Sequence, residues 1–209
     1  MRQDRLKEKS RIYFDKVATE DDVIEEPVLC YEEVLRRLEE GYKGRLLDVG
    51  CGTGDMLRGI EKKELPFHLW GLDLSQEALR KAAASCSDSV TLDRGDAEHL
   101  PYEDGFFDLL ICMHSFHHYP RPRRALQEMR RVLRANGTLI LVENDYPPLT
   151  RLRCNYEFIR YRHPNGDVRM YAKGKLRRMM EKTGFSVRET EHIADHSRVF
   201  LALKKAEES

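Results

Sequence analysis

The chain has 209 residues, 41% of them hydrophobic, a length that suits one buried core better than two. Lys+Arg and Asp+Glu stand at 36 each, so no net field draws the chain to nucleic acid or to an anionic membrane. The five cysteines, at 30, 51, 86, 112 and 154, are odd in number and never spaced CxxC, which argues against a disulfide framework or a thiolate zinc site and for reduced thiols.

The N-terminus, MRQDRLKEKSR, lacks the apolar centre of a signal peptide, and no 18-residue apolar run follows. A cytoplasmic chain without membrane insertion is expected. From Val28 to Glu40 the residues Val28, Leu29, Val34, Leu35 and Leu38 share one helical face, so residues 1–40 read as a helical cap. Strands are expected near 45–49, 68–73, 89–93, 107–113 and 137–143, with helices near 54–63, 75–85 and 121–134 between them, the second capped by Ser75. Near-continuous apolar strands separated by helices imply a parallel sheet covered on both faces. A helix near 173–182 then stops at Gly184, and strands 185–193 and 198–204 are joined by a short polar turn that favours an antiparallel pair. The expected fold class is α/β, doubly wound, in a single domain spanning 1–209 with a core at 45–143.

The first strand runs into Asp48-Val49-Gly50-Cys51-Gly52-Thr53-Gly54-Asp55. Alternate glycines between a buried strand and a helix N-terminus leave room for a ligand to lie against backbone. The dinucleotide fingerprint G-x-G-x-x-G requires its third glycine one position later, where Asp55 stands and would repel a pyrophosphate. S-adenosylmethionine, cationic and without phosphate, fits this turn better. Asp73, ending Trp70-Gly71-Leu72-Asp73-Leu74-Ser75, lies about 20 residues beyond the glycine turn, where a carboxylate accepts from ribose hydroxyls. Leu74 offers an apolar surface to adenine, and Asp96 in Gly95-Asp96-Ala97 an acceptor for its amino group.

The blocks LLDVGCGTGD, GLDLS, GDAEHLP, FDLLICMHSFHHYP and RVLRANGTLILVE, spanning Leu46 to Glu143, resemble the class I S-adenosylmethionine-dependent methyltransferases, in particular the small-molecule branch related to the ubiquinone/menaquinone-biosynthesis enzymes. The resemblance implies a seven-stranded, Rossmann-like, mostly parallel sheet with the last strand inserted antiparallel. It implies S-adenosylmethionine as co-substrate, with Asp48 orienting the turn, Gly50, Gly52 and Gly54 admitting the methionine portion, Asp73 on the ribose, and Asp96 with Ala97 on the adenine. Tyr13, in the N-terminal echo Tyr13-Phe14-Asp15-Lys16-Val17-Ala18, is implied to close over the cofactor.

Substrate chemistry belongs at the carboxyl ends of the strands, where Met113, His114, Ser115, Phe116, His117, His118 and Tyr119 crowd together. Met113 is taken as a cofactor contact. His117 is the candidate catalytic base, a neutral imidazole that accepts the proton an acceptor atom loses. The plainer alternative is a histidine that packs beneath the site. No metal is expected: Glu143-Asn144-Asp145 resembles half of a magnesium site, but no acid ends strand four to complete it, and a solvated strand end is the simpler account. The arginines of 121–134 flank Ala125, Leu126, Met129, Val132 and Leu133 as the basic face of a surface helix. Arg151, Arg153, Arg160, Arg162 and Arg169, mixed with Tyr156, Phe158, Tyr161 and Tyr171, allow a substrate lid over 146–172 or an inserted helix packed on the sheet.

The expected activity is methyl transfer to a small-molecule acceptor. One alternative is a nucleic-acid methyltransferase, disfavoured because the only double proline, Pro147-Pro148, follows strand five instead of strand four. The other is a non-catalytic S-adenosylmethionine-binding module acting through a protein partner.

Overall fold

The computed structural model describes residues 2–19, 28–161, 166–193 and 196–205. Seven strands form one sheet: β1 (Gly44–Val49), β2 (Phe67–Asp73), β3 (Thr91–Arg94), β4 (Phe107–Met113), β5 (Leu133–Asn144), β6 (Phe185–Ile193) and β7 (Ser197–Lys204). Their order is β3-β2-β1-β4-β5-β7-β6. The first five pair in parallel, and β7 runs antiparallel to β5 and β6 on either side. The expected α/β sheet with its antiparallel last strand is present.

The buried faces explain the apolar runs. Along β4, Leu109, Ile111 and Met113 point to one side of the sheet while Leu110 and Cys112 point to the other, and both sets are buried. One layer carries α2 (Val28–Leu38) and α3 (Asp55–Lys62), whose Val34, Leu35, Met56, Leu57 and Ile60 meet Leu109 and Ile111. The opposite layer carries α5 (Pro122–Val132) and α7 (Lys173–Lys182), whose Leu126, Met129, Leu176 and Met180 join Leu110 and Phe185. α4 (Gln76–Ser85) is capped as expected, the Ser75 hydroxyl accepting from Ala78 N at 3.1 Å. α1 (Arg2–Thr19) and α6 (Pro148–Tyr161) complete the helices.

Two boundaries differ from expectation. β3 lies at 91–94 instead of 89–93, and β5 opens at Leu133, directly after α5, instead of at 137. Residue 136 is a left-handed asparagine (φ 60°), and the pairing with β4 shifts register between Phe107 and Leu109, so the early part of β5 carries no regular apolar alternation. Pro148 begins α6, a position where its missing N–H costs nothing, which accounts for the double proline structurally. No helix among the described residues is long and apolar enough to cross a membrane.

Successive strands build outward from β1 to β3, and the chain then returns to place β4 on the other side of β1. That reversal opens a crevice at the carboxyl ends of β1 and β4, where open α/β sheets bind ligands.

Candidate functional site

A cavity of about 690 Å³ occupies this crevice. Its floor is the turn after β1. Gly50, Gly52 and Gly54 have φ of 80°, 53° and 82°, a region that side chains resist. Gly50 is also sterically committed, because a Cβ there would lie 2.0 Å from the Ser115 hydroxyl oxygen. That hydroxyl is 2.7 Å from the Tyr119 hydroxyl, so residues from the turn after β4 brace the glycine turn from beneath.

Asp73 ends β2 and ties the turn to the next helix. Its Oδ2 accepts from Gly52 N at 2.9 Å and its Oδ1 from Ser75 N at 2.8 Å. Loss of solvent raises this carboxyl above its ordinary range, while the backbone N–H groups pull it back. The Leu74 N–H contributes as well, so of about four acceptor sites on the carboxylate one remains for a hydroxyl ligand. Asp48 is buried at the cavity's edge.

The roof is α1. Lys7, Ser10, Arg11, Phe14, Val17 and Ala18 line the cavity, at a spacing that places them on one helical face. Lys7 Nζ reaches Asp96 Oδ2 at 2.5 Å and also pairs with the fully buried Glu98. Asp15 accepts from the Ser75 hydroxyl at 2.6 Å and pairs with Arg11 at 2.5 Å. Phe14 sets its ring edge-to-face on His118, with centroids 5.0 Å apart.

These clamps are pH-sensitive. Desolvation disfavours ionisation of both Asp96 and Asp15, but it is outweighed by Lys7 and Glu98 N–H at Asp96, and by Ser75, Glu77 N–H and Arg11 at Asp15. Both carboxyls are thus held below the ordinary range, and the unfolded chain binds more protons than the folded one in acid. Their stabilisation is complete above about pH 4 and is lost as pH falls through the depressed values. Lys7→Ala should lower the melting temperature at pH 7 and flatten the acid limb below pH 4. Superimposable acid limbs for parent and variant would show that the Lys7 clamp contributes nothing.

Most predicted cofactor residues meet here: Asp48, Gly50, Gly52, Asp73, Leu74, Asp96, Ala97 and Met113 all line the cavity. Three predicted residues do not. Tyr13 is displaced by Phe14, because neighbouring helix positions point about 100° apart and only the 7-10-14-17 face meets the cavity. Gly54 caps α3 away from the cavity, where a Cβ would come within 3.0 Å of Cys86 Sγ and 3.1 Å of Ala82 Cβ, so its role is close packing of α3 on α4. His117 is turned into the protein, 6% exposed, with Nδ1 3.1 Å from Glu143 Oε1. The histidines in the cavity wall are His114, in the left-handed region at φ 46°, and His118. Burial, then the neighbouring His117, holds the His118 ring well below the usual imidazole range.

Glu143, expected at a solvated strand end, is 2% exposed, its carboxylate covered by the turn after β4, where His117 N and Nδ1 both meet Oε1. Asp145 is held by Arg198 at 2.6 Å. Among the described residues, none from 146–172 lines the cavity. Tyr171 is buried against Phe116, and Phe158 is buried as well, so these two aromatics pack as the plainer alternative held. Arg160 and Tyr161 have no described side chains, and Arg162 lies outside the described residues. The α5 arginines serve structure: Arg131 pairs with Glu128 and Asp104, each at 2.8 Å, and Arg121 pairs with Glu98. Cys51 and Cys112 are buried, and burial pushes both thiols well above their ordinary range, as packing residues require.

Known proteins agree with this geometry. Residues 47–141 match the methyltransferase-domain family. The demethylmenaquinone methyltransferase of Thermotoga maritima is 31% identical over 145 residues, covering 66% of this chain and 62% of that protein. The ajmaline N-methyltransferase of Rauvolfia serpentina is 31% identical over 127 residues, covering 58% of this chain and 43% of its own length. The chain thus spans less than two thirds of either curated relative. Among solved structures, a methyltransferase in complex with the Haloferax volcanii Trm112 methyltransferase activator superimposes with a TM-score of 0.79 at 20% identity, over 92% of this chain and 98% of that one. With the glycine turn after β1 and the acids ending β2 and following β3, residues 47–141 match the methyltransferase-domain family, and the chain shares the fold of that solved methyltransferase structure.

Proposed function

We propose that the chain binds S-adenosylmethionine in the 690 Å³ cavity and transfers its methyl group to a small-molecule acceptor, releasing S-adenosylhomocysteine. One observation carries the reading: acids stand at the end of β2 and after β3 in the cavity lining, and four of its cations are already paired with carboxylates. Lys7, Arg11, Arg58 and Arg80 each pair with a carboxylate of this chain. Arg58 is bound to Asp55 itself, so no phosphate cradle stands at the start of α3. A ligand of net positive or zero charge suits that lining.

Asp73 would accept from the ribose hydroxyls at the carboxylate edge its backbone partners leave open. Asp96 and Ala97 would meet the adenine edge, with Leu74 against its face. Asp48 would stand near the ammonium group, and Met113 beside the sulfonium. The sulfonium is already an activated donor, so catalysis rests mainly on in-line positioning at about 3–3.5 Å and on exclusion of water beneath α1. His117 would act behind the wall, fixing the turn that presents His118. Five cysteines held as thiols support a reducing, cytosolic setting.

A thermal melt tests the cofactor. S-adenosylhomocysteine at about a hundred times its Kd should raise the melting temperature by roughly 5–10 °C, whereas NAD should leave it unchanged. A shift with NAD and none with S-adenosylhomocysteine would overturn the assignment. Turnover is then read as S-adenosylhomocysteine formed when a metabolite pool is supplied.

A further inference from the structure

Behind the cavity wall, the turn after β4 meets the segment that precedes α7. The His117 carbonyl accepts from Val168 N at 3.0 Å and from Arg169 N at 3.3 Å, which brings Asp167 against both histidines. His117 Nε2 lies 3.6 Å from Asp167 Oδ1, and His118 Nδ1 lies 3.2 Å from the same oxygen. All three ligand atoms fall within 4.8 Å of one another. Nitrogen and oxygen ligands sit about 2.0–2.2 Å from zinc, which in a tetrahedral site puts them about 3.3–3.5 Å apart. The two separations to Asp167 Oδ1 bracket that edge.

The surroundings orient the same atoms. His117 Nδ1 is 3.1 and 3.2 Å from the two Glu143 oxygens, so its N–H is donated there and the lone pair on Nε2 turns toward Asp167. The His118 ring is hydrogen-bonded by the Gly166 carbonyl, and its buried Nδ1 makes no hydrogen bond among the described residues. A carboxylate behind one imidazole and a backbone carbonyl at the other are the usual outer partners of metal-bound histidine. Asp167 is 7% exposed and Glu143 2%, so two carboxylates share a dry pocket with two imidazoles.

We propose that His117 Nε2, His118 Nδ1 and Asp167 Oδ1 form a three-ligand site for a divalent transition-metal ion of the zinc type, with Glu143 as the outer partner of His117. Two nitrogens and one oxygen suit zinc, cobalt or ferrous iron better than magnesium, which prefers an all-oxygen shell. Three protein ligands leave one position open. The ion would fasten the 166–169 segment to the turn that carries His118 into the cavity wall.

The test uses the full chain, stripped with a chelator and dialysed. Zinc chloride should bind at one equivalent per chain and raise the melting temperature by roughly 5–10 °C at about a hundred times its Kd, while magnesium chloride should have no effect. Cobalt should give the visible absorption of a four-coordinate N/O site, without the thiolate charge-transfer band that binding to cysteine would produce. Glu143→Gln should weaken zinc about 10–100-fold, and Asp167→Asn more strongly, both with unchanged far-ultraviolet circular dichroism. Failure of wild-type protein to bind stoichiometric zinc, or binding unaltered in a folded Asp167→Asn variant, would overturn the site. Should Asp167→Asn not fold, the wild-type cobalt spectrum and Glu143→Gln decide the matter. None of these readouts depends on S-adenosylmethionine binding.

Discussion

Asp73→Ala should weaken S-adenosylhomocysteine binding by about 1.5–3 kcal/mol, or about 10–150-fold in Kd, because the proposed binding mode assigns this charged acceptor to the ribose. The structure adds a second consequence. The same carboxylate accepts from Gly52 N and Ser75 N, so alanine also frees the glycine turn and the start of α4, and the melting temperature should drop. Asparagine keeps one acceptor oxygen, which viewed alone suggests a milder variant. The two carboxylate oxygens, however, each face a different backbone N–H. An amide must place its NH₂ against one of those donors, leaving a buried N–H unsatisfied at about 1–3 kcal/mol. Asp73→Asn should therefore be nearly as damaging as alanine. Calorimetric titration of both variants settles this, and an asparagine variant with parental affinity would mean that the ribose is held elsewhere.

His117→Ala should lower the melting temperature by roughly 6–20 °C in chelated buffer. The change strands Glu143, 2% exposed, without its imidazole partner, and breaking a buried pair from one side costs about 3–5 kcal/mol. At about 2–4 °C per kcal/mol for a chain of this size, that loss is easily read in a melt. His117→Asn, whose amide can donate toward Glu143, should recover part of it. Activity of the alanine variant should track its folded fraction. The opposite pattern, with a melting temperature near the parent's and turnover reduced about 10²–10⁴-fold, would return His117 to the role of general base.

The sequence alone revealed the sheet and the glycine turn, and marked the acid that ends β2, because each is local. An apolar run of strand length, bounded by a turn and a helix, needs no distant partner to be recognised. Asp48, Asp73 and Asp96 each sit at or just past a strand end, and parallel order sends successive ends to one edge of the sheet. The antiparallel final pair followed from a connection too short for a crossover.

What the sequence did not reveal lies in contacts between segments far apart in the chain. α1 is polar along its length, so its cavity face, Lys7-Ser10-Phe14-Val17, stands out only once β2 and β4 present something to cover. The resemblance pointed to Tyr13, whereas Phe14 is the residue that lines the cavity, because a sequence echo does not fix helical phase. Among the adjacent histidines, one step along a short 3-10 turn decides which ring meets the cavity and which meets Glu143. The cluster of His117, His118 and Asp167 joins positions about 50 residues apart through backbone hydrogen bonds that no local pattern encodes. Periodicity along the chain determined each element and its buried face. Packing across the sheet decided which polar groups converge, since burying an imidazole or a carboxylate is tolerated only where another segment supplies its partner.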